Sequence, residues 1–398
     1  IEMMGEVDPD RLALLEAALE SVGQSDSADR AHLLAGLAEE MDPRDPDRAA
    51  VAFDAVDLAH RVGDEREFLA ILLLASNPMT TPDSLDRRRD EATRAIEVAE
   101  RLGDAASLSA VLGFRMMVAG EAGDLAEFDL RLAQVAAIVE RYGSPVVRYQ
   151  HLMFRSWRHL VAGRLDAALV DAEAALELGT RLGLGHAAST YGSHLMQRAF
   201  QQGRLDELVA LVEQTVADVP TIPAWRVALM VIYDELGRFD EATALFEVGF
   251  AASFDDVPFD LTWLPTMGNY AECAADTGRV DAAPILYERL LPYVDRMLFA
   301  ASLDWGLVSR VLGRLATLLG RYDDAEELLG QTQARNEAIA APYWIARTRL
   351  DQAELALARR APGDDEAVDA LIRDALATAD EYGYDGLVPR AERLLASR

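Results

Sequence analysis

The stretch GRLDAA at 163–168 decides the fold of this chain, because close copies of it return along much of the sequence. The copies are GRLDEL at 203–208, GRFDEA at 237–242, GRVDAA at 278–283 and GRYDDA at 320–325, with a weaker GDLAEF at 123–128. Each copy opens with a glycine, which favours the left-handed conformation that ends a helix. Most continue with an acidic residue, which suits the positive end of the dipole of a following helix. The motif therefore predicts a turn between two helices.

A second series of glycines fixes the length of the repeat. Gly63, Gly103, Gly143 and Gly183 stand 40 residues apart, and each of the last three lies 20 residues before a glycine of the motif. Apolar residues at spacings of three and four, as in the run 167–183, indicate an amphipathic helix in the intervening segments. A fixed period of this size is typical of proteins that stack one helix pair on the next.

These signals predict an all-α chain that forms a single helix-pair solenoid over 1–398. A leading helix is expected within 1–26, helix pairs within 27–383 and a closing helix within 384–398. The expected pairs cover about 27–62, 65–102, 105–142, 145–182, 184–218, 223–254, 260–296, 301–338 and 342–382. Because the chain begins at Ile1, we also expect it to be a segment of a longer multidomain protein.

Composition narrows the classes of function. Hydrophobic residues make up 51% of the chain, and the formal net charge is −30. An acidic surface repels the nucleic-acid backbone, so we expect no direct nucleic-acid contact by this segment. All 38 basic residues are arginine, so the lysine of a phosphate-binding loop cannot occur here.

The sequence also predicts a cytoplasmic location without membrane contact. The first residues lack the basic and apolar regions of a signal peptide, and the longest apolar run, 69–75, is too short to span a bilayer. The single cysteine, Cys273, excludes a disulfide within the chain, which fits a reducing compartment.

The turn motif resembles that of the tetratricopeptide repeat, a helix–turn–helix unit with a period near 34 residues, and the longer copies resemble its MalT-like variety. More specifically, the chain resembles the C-terminal tetratricopeptide region of large bacterial ATP-binding signalling proteins, namely the LuxR-type large regulators and adenylate or guanylate cyclases with a similar array. The stretches that carry this resemblance are 222–238, 260–279, 285–296, 344–360 and 377–395. The run FAASLDWG at 299–306 departs from the family pattern.

The resemblance implies a right-handed solenoid of about nine tetratricopeptide-like repeats. It also implies a nucleotide-binding switch domain before the array and an output domain, a DNA binder or a cyclase, at one end. Neither domain is present in these 398 residues.

No pattern in the sequence indicates catalysis, a metal or a cofactor. The six histidines include two pairs eight residues apart, His151 with His159 and His186 with His194, and neither pair matches a zinc-binding motif. Cys273 lies in an apolar stretch and is interpreted as a small core residue. We therefore expect no catalytic residues, no metal site, no cofactor and no enzymatic activity in this segment.

The expected binding surface is the concave groove, which the first helix of each pair lines in a helix-pair solenoid. The positions counted as inward-facing are Gln150, Met153, Trp157, Ser193, Gln197, Phe200, Asp234, Glu272, Arg310 and Arg314. We expect Trp157 and Phe200 to form an exposed apolar platform, and Arg310 and Arg314 to meet an acidic group of a ligand or partner. The alternative for Trp157 is packing between helices, which is also the expectation for the other four tryptophans.

Two interpretations of function stay open at this point. In the first, the segment is a non-enzymatic sensor that binds a small effector or a protein in its groove and controls a switch domain elsewhere in the protein. In the second, it is a stand-alone protein–protein scaffold or a self-associating adaptor, which includes a homo-oligomer.

Overall fold

The computed structural model describes residues 7–220 and 222–397, and over these residues the chain forms twenty α-helices, α1–α20, and one two-stranded antiparallel sheet. The predicted all-α class is confirmed. The chain divides into two compact units. Unit 1 comprises Ile1–His151, Leu178–His186 and Pro258–Trp263, and unit 2 comprises Leu152–Glu177, Ala187–Val257 and Leu264–Arg398.

Unit 1 is built from helices that each pack on the next one along the chain. Its helices are α1 (Pro9–Val22), α2 (Ala28–Glu40), α3 (Arg48–Val62), α4 (Glu65–Ala75), α5 (Leu85–Leu102), α6 (Ala105–Ala122) and α7 (Leu125–Tyr142). The alternate helices α2, α4 and α6 also contact one another in sequence. Contact of each helix with both its neighbour and the next-but-one helix is the packing expected when helix pairs stack.

The turns between the helices follow the glycine pattern of the sequence. The turn glycines have positive φ, from 64° at Gly103 and Gly143 to 79° at Gly63. Aspartates cap the helices that follow: the Asp64 carboxylate, for example, accepts hydrogen bonds from the backbone N–H groups of Arg66 and Glu67. The predicted left-handed helix ends are therefore confirmed.

Unit 2 contains the remaining elements. The helices that lie wholly within it are α10 (Ala187–Gln202), α11 (Val209–Asp218), α12 (Pro223–Glu235), α13 (Phe239–Ala251), α15 (Ala283–Leu290), α16 (Val308–Leu318), α17 (Tyr322–Ala338), α18 (Pro342–Arg359), α19 (Asp364–Tyr382) and α20 (Val388–Ala396). Three helices, α8 (Pro145–Val161), α9 (Leu165–Arg181) and α14 (Trp263–Asp276), have residues in both units. As in unit 1, alternate helices meet, here α16, α18 and α20.

Most predicted helix pairs coincide with observed ones, and the exception is the pair expected at 301–338. There the structure has a β-hairpin, β1 (Met297–Ala300) and β2 (Leu303–Leu307), before α16 begins at Val308. Met297, Leu298 and Phe299 are all buried, and a short apolar run buried on both faces reads as helix or strand equally well from sequence. Position 306 requires glycine, because its φ of 81° lies in the left-handed region and a Cβ there would lie 2.9 Å from the Trp344 ring.

Candidate functional site

The predicted groove residues of unit 2 lie on the first helices of their pairs, as expected, but most of them are buried. Trp157 is 0% exposed, and the side chains of Gln197, Phe200, Asp234, Glu272, Arg310 and Arg314 are also buried. Only Met153 and Ser193 keep partial exposure in this unit. Gln150, in unit 1, is half-buried and its amide bonds with Ser109, whose hydroxyl lies 3.0 Å from Gln150 Oε1.

The β-hairpin covers the faces of Trp157 and Phe200 that were expected to be exposed. The Trp157 ring lies 4.7 Å from that of Phe299 in β1. The Phe200 ring lies 4.9 Å from that of Trp305 in β2. The expectation of an exposed apolar platform is therefore wrong for both residues. The run 297–307 forms a hairpin and not a helix, and this hairpin packs on α8 and α10.

A buried aspartate of the hairpin, Asp304, forms hydrogen bonds with residues of both α8 and α10. Asp304 Oδ2 accepts hydrogen bonds from Trp157 Nε1 at 3.1 Å and from Gln197 Nε2 at 2.8 Å. In return, the Asp304 N–H donates to Gln197 Oε1 at 3.1 Å. Burial raises the pKa of Asp304 above its usual value, although the hydrogen bonds from Gln197, Gly306 and Trp157 counteract part of that rise. These bonds fix the position of the hairpin by polar contacts.

Three of the predicted groove residues, Glu272, Arg310 and Arg314, meet in one network of buried charges. Arg310 Nη2 lies 2.8 Å from Glu272 Oε2, and Arg310 Nη1 lies 3.1 Å from Asp351 Oδ2. Arg314 Nη2 lies 2.8 Å from Asp276 Oδ1. Both arginines therefore meet carboxylates of their own chain, which corrects the expectation that they would await an acidic group of a ligand.

Two further arginines, which sequence reasoning missed, complete this network. Arg347 Nη2 lies 2.6 Å from both Glu235 Oε1 and Glu272 Oε1. Arg390 Nη2, in α20, lies 2.6 Å from both Asp351 Oδ1 and Glu354 Oε2. We call the network the arginine–carboxylate cluster; its members are Arg310, Arg314, Arg347, Arg390, Glu235, Glu272, Asp276, Asp351 and Glu354.

A signal in the sequence could have predicted the cluster. Asp234, Glu272, Arg310 and Arg347 follow one another at intervals of 38, 38 and 37 residues, so they occupy the same position in successive repeats. Acidic residues stand at the first two of these positions and basic residues at the last two. Because stacked repeats bring equivalent positions together, this change of sign between neighbouring repeats predicts internal ion pairs.

The charges of the cluster shift one another's protonation. Burial alone would raise the pKa of Glu272, but Arg310, Arg314 and Arg347 outweigh it and hold that pKa well below its usual value. The opposite holds for Asp234, whose pKa is raised well above its usual value by burial and by the neighbouring carboxylates Asp276 and Glu235. Burial therefore favours the protonated form of Asp234, whereas the arginines favour the charged form of Glu272.

A small cavity lies where the cluster meets the aromatic residues that pack on the hairpin. Its walls include Phe200, Trp305 and Trp344 on the aromatic side and Asp234, Glu272 and Arg347 on the charged side. The volume of this cavity that is open to water is about 10 Å³. A space of this size holds about one water, so it does not admit an organic ligand.

A second polar site in unit 2 surrounds His194. This residue is 3% exposed, and among the described residues neither of its ring nitrogens has a hydrogen-bond partner. Burial lowers the pKa of His194 to about 4, against a smaller opposing effect of Asp171. The Asp171 carboxylate is itself held by Arg155 at 2.6 Å, with His159 Nε2 at 3.4 Å. His194 is thus a neutral, buried imidazole.

The remaining candidates for chemistry are enclosed. Burial raises the pKa of the Cys273 thiol, so this residue is a protonated thiol near neutral pH and a poor nucleophile. No group of three or more histidine, cysteine or acidic side chains within the described ranges is placed to hold a metal ion. No helix in the described part of the chain combines the length and the apolar character that crossing a bilayer requires.

Comparison with known proteins identifies no family. No protein-family model matches the sequence. No curated protein matches it either.

Proposed function

We propose that this chain is a non-enzymatic helix-repeat module that binds a protein partner or a small effector and controls a switch domain in a bacterial signalling or transcription-regulating protein. In this proposal the helix pairs form a right-handed solenoid of about nine tetratricopeptide-like repeats with a closing helix. The resemblance of the turn motifs to MalT-like repeats supports this assignment. We place the module in the cytoplasm, where its single cysteine stays reduced.

The observation that carries the proposal is the contact between successive first helices. Glu272 of α14 contacts Arg310 of α16, and Arg310 contacts Asp351 of α18. Each of these is the first helix of a predicted pair. Contacts between successive first helices are what a stacked array produces. The cluster formed in this way joins alternate helices of the array.

An alternative deserves a direct test, namely a stand-alone scaffold or self-associating adaptor. The acidic surface supports a protein or small-molecule partner over nucleic acid in both cases, since the net charge is −30. The two differ in what they bind: the sensor binds an effector, whereas the self-associating adaptor binds further copies of itself.

Thermal unfolding in the presence of ligand classes separates these functions. The purified chain is heated with panels of sugars, nucleotides and peptides, and its oligomeric state is measured by light scattering over a range of concentrations. A ligand at 100 times its Kd stabilises the folded state by about 2.7 kcal/mol, which raises the unfolding temperature measurably. A shift with one class supports the sensor, and concentration-dependent association supports the adaptor. A chain that shows neither would overturn the proposal.

A further inference from the structure

The helix α20 occupies an acidic site on the first helices of unit 2. The short 3-10 segment before it, Asp385–Leu387, packs against α10 so closely that a Cβ on Gly386 would lie 2.3 Å from the carbonyl oxygen of Phe200. From there α20 reaches α18, which it also contacts. The segment 385–396 therefore contacts both α10 and α18.

Arg390 is the residue through which α20 enters the cluster. Of the three charged residues in this helix, Arg390 is buried, whereas Glu392 and Arg393 are exposed. Its guanidinium contacts Asp351 and Glu354 at 2.6 Å each, and Glu272 at 3.8 Å. A single arginine thus links α20 to three carboxylates of two other helices.

The carboxylates of the acidic site have partners other than Arg390. Asp351 is also held by Arg310 and Arg314, at 3.1 Å and 3.3 Å, and Glu354 is held by Arg314 at 3.1 Å. The five carboxylates of the cluster outnumber its four guanidinium groups even with Arg390 in place. Without Arg390 the excess of negative charge grows, so the vacated site attracts a cation.

The helix itself contributes little to its own stability. It has nine residues, and isolated helices of this length are marginal in water. Its buried residues are Arg390, Ala391 and Leu394, so it buries one small and one large apolar side chain. Gly383, at a φ of 71°, separates it and the 3-10 segment from α19. The ion pairs of Arg390 with Asp351 and Glu354 are therefore a main contact between α20 and the helices beneath it.

We propose that the acidic site of Asp351 and Glu354 recognises an arginine-bearing amphipathic helix of a protein partner, and that α20 fills this site as an internal competitor. The partner helix presents an arginine followed four residues later by a leucine, as Arg390 and Leu394 do in α20. This inference rests on the proposed function, because it names the partner class of the same module.

Hydrogen exchange on the wild-type chain is the first test. Amide hydrogens of α20 exchange at least tenfold faster than those of α18, because α20 opens without the rest of unit 2. Equal protection of the two helices overturns the proposal, since α20 would then be an inseparable part of the core. This measurement needs no variant and is decisive even if a substituted chain does not fold.

A charge reversal with a matched control is the second test. Arg390→Glu removes the buried cation, and Arg393→Glu makes the same change on the exposed face of the same helix. A labelled peptide of residues 384–397 binds the R390E chain at least tenfold more tightly than it binds the wild-type or R393E chain. The same peptide carrying Glu at position 390 binds at least tenfold more weakly.

The other outcomes count against the proposal. Absence of peptide binding to a folded R390E chain overturns it, and so does formation of dimers by the wild-type chain through exchange of α20 between copies. The thermal-shift panel does not involve α20, so the proposed function can hold when this inference fails. A thermal shift with an effector, together with no peptide binding to the R390E chain, would show that the proposed function holds and this inference fails.

Discussion

Loss of one arginine from the arginine–carboxylate cluster is expected to destabilise unit 2 strongly. Arg314 is 2% exposed and lies within 3.3 Å of four carboxylates, those of Glu272, Asp276, Asp351 and Glu354. Arg314→Met keeps most of the side-chain volume but removes the charge. Because it leaves buried carboxylates without their counter-charge, we expect the free energy of unfolding to fall by about 3–5 kcal/mol.

The control is an arginine in the same repeat whose ion pair is open to solvent. Arg321 Nη2 lies 2.6 Å from Asp324, but the two side chains are 45% and 49% exposed. Exposed pairs contribute about 0–1 kcal/mol, so Arg321→Met changes the stability little. Urea unfolding of both variants, followed by far-ultraviolet circular dichroism, measures the difference. A loss of less than 1 kcal/mol for Arg314→Met would refute the reasoning.

The pH dependence of this loss gives a second check on its cause. The arginines hold the pKa of Glu272 well below its usual value, so the cluster stabilises the fold above that value and loses this contribution as the pH falls through the folded-state pKa. The stability gap between Arg314→Met and the wild type should therefore narrow below about pH 4, where free carboxylates begin to protonate. A gap that stays constant down to pH 3 would point to lost packing as the cause.

Three further predictions follow from single sites. Because the pKa of His194 is lowered to about 4, protonation of this residue should cost the wild type about 3 kcal/mol of stability as the pH falls from 6.5 to 4. The variant His194→Gln should remove most of this loss. An unchanged pH profile of stability in this variant would contradict the assignment. Gly203→Ala should be more destabilising than Gly237→Ala in thermal unfolding by about 1–3 kcal/mol: both glycines have positive φ, but a Cβ on Gly203 lies 2.9 Å from the backbone N of Gly386, and one on Gly237 meets nothing within 4 Å. Trp157→Phe removes a donor to the buried Asp304 carboxylate, so it should cost about 1.5–3 kcal/mol at pH 7 and less at pH 4.5; Asp304 has a raised pKa and so regains stability on protonation, and an equal cost at both pH values would show that Asp304 plays no part.

The sequence predicted the helices well because their limits are set locally. A glycine that adopts positive φ and an aspartate that caps the next helix act within a few residues, and both recur at a fixed period. The hairpin at 297–307 escaped prediction because its strands are stabilised by distant residues. Trp157 and Gln197 lie more than 100 positions away from Asp304 in the chain.

The structure brings several of the predicted site residues together, but the sequence did not predict what packs around them. Counting back from the turn glycines selected Glu272, Arg310 and Arg314 as groove residues, and the structure places these three in one buried network. Whether such a face is open or closed depends on what packs over it, here the hairpin and α20. Neither element carries the periodic signal, so their covering role could not be read from the repeat.

The order of charges along the first helices makes the helix pairs of unit 2 non-interchangeable. Helices α12 and α14 contribute acidic residues to this interior, α16 contributes basic residues, and α18 contributes both. Duplicating or exchanging one helix pair here would bring like charges together in a dry interior.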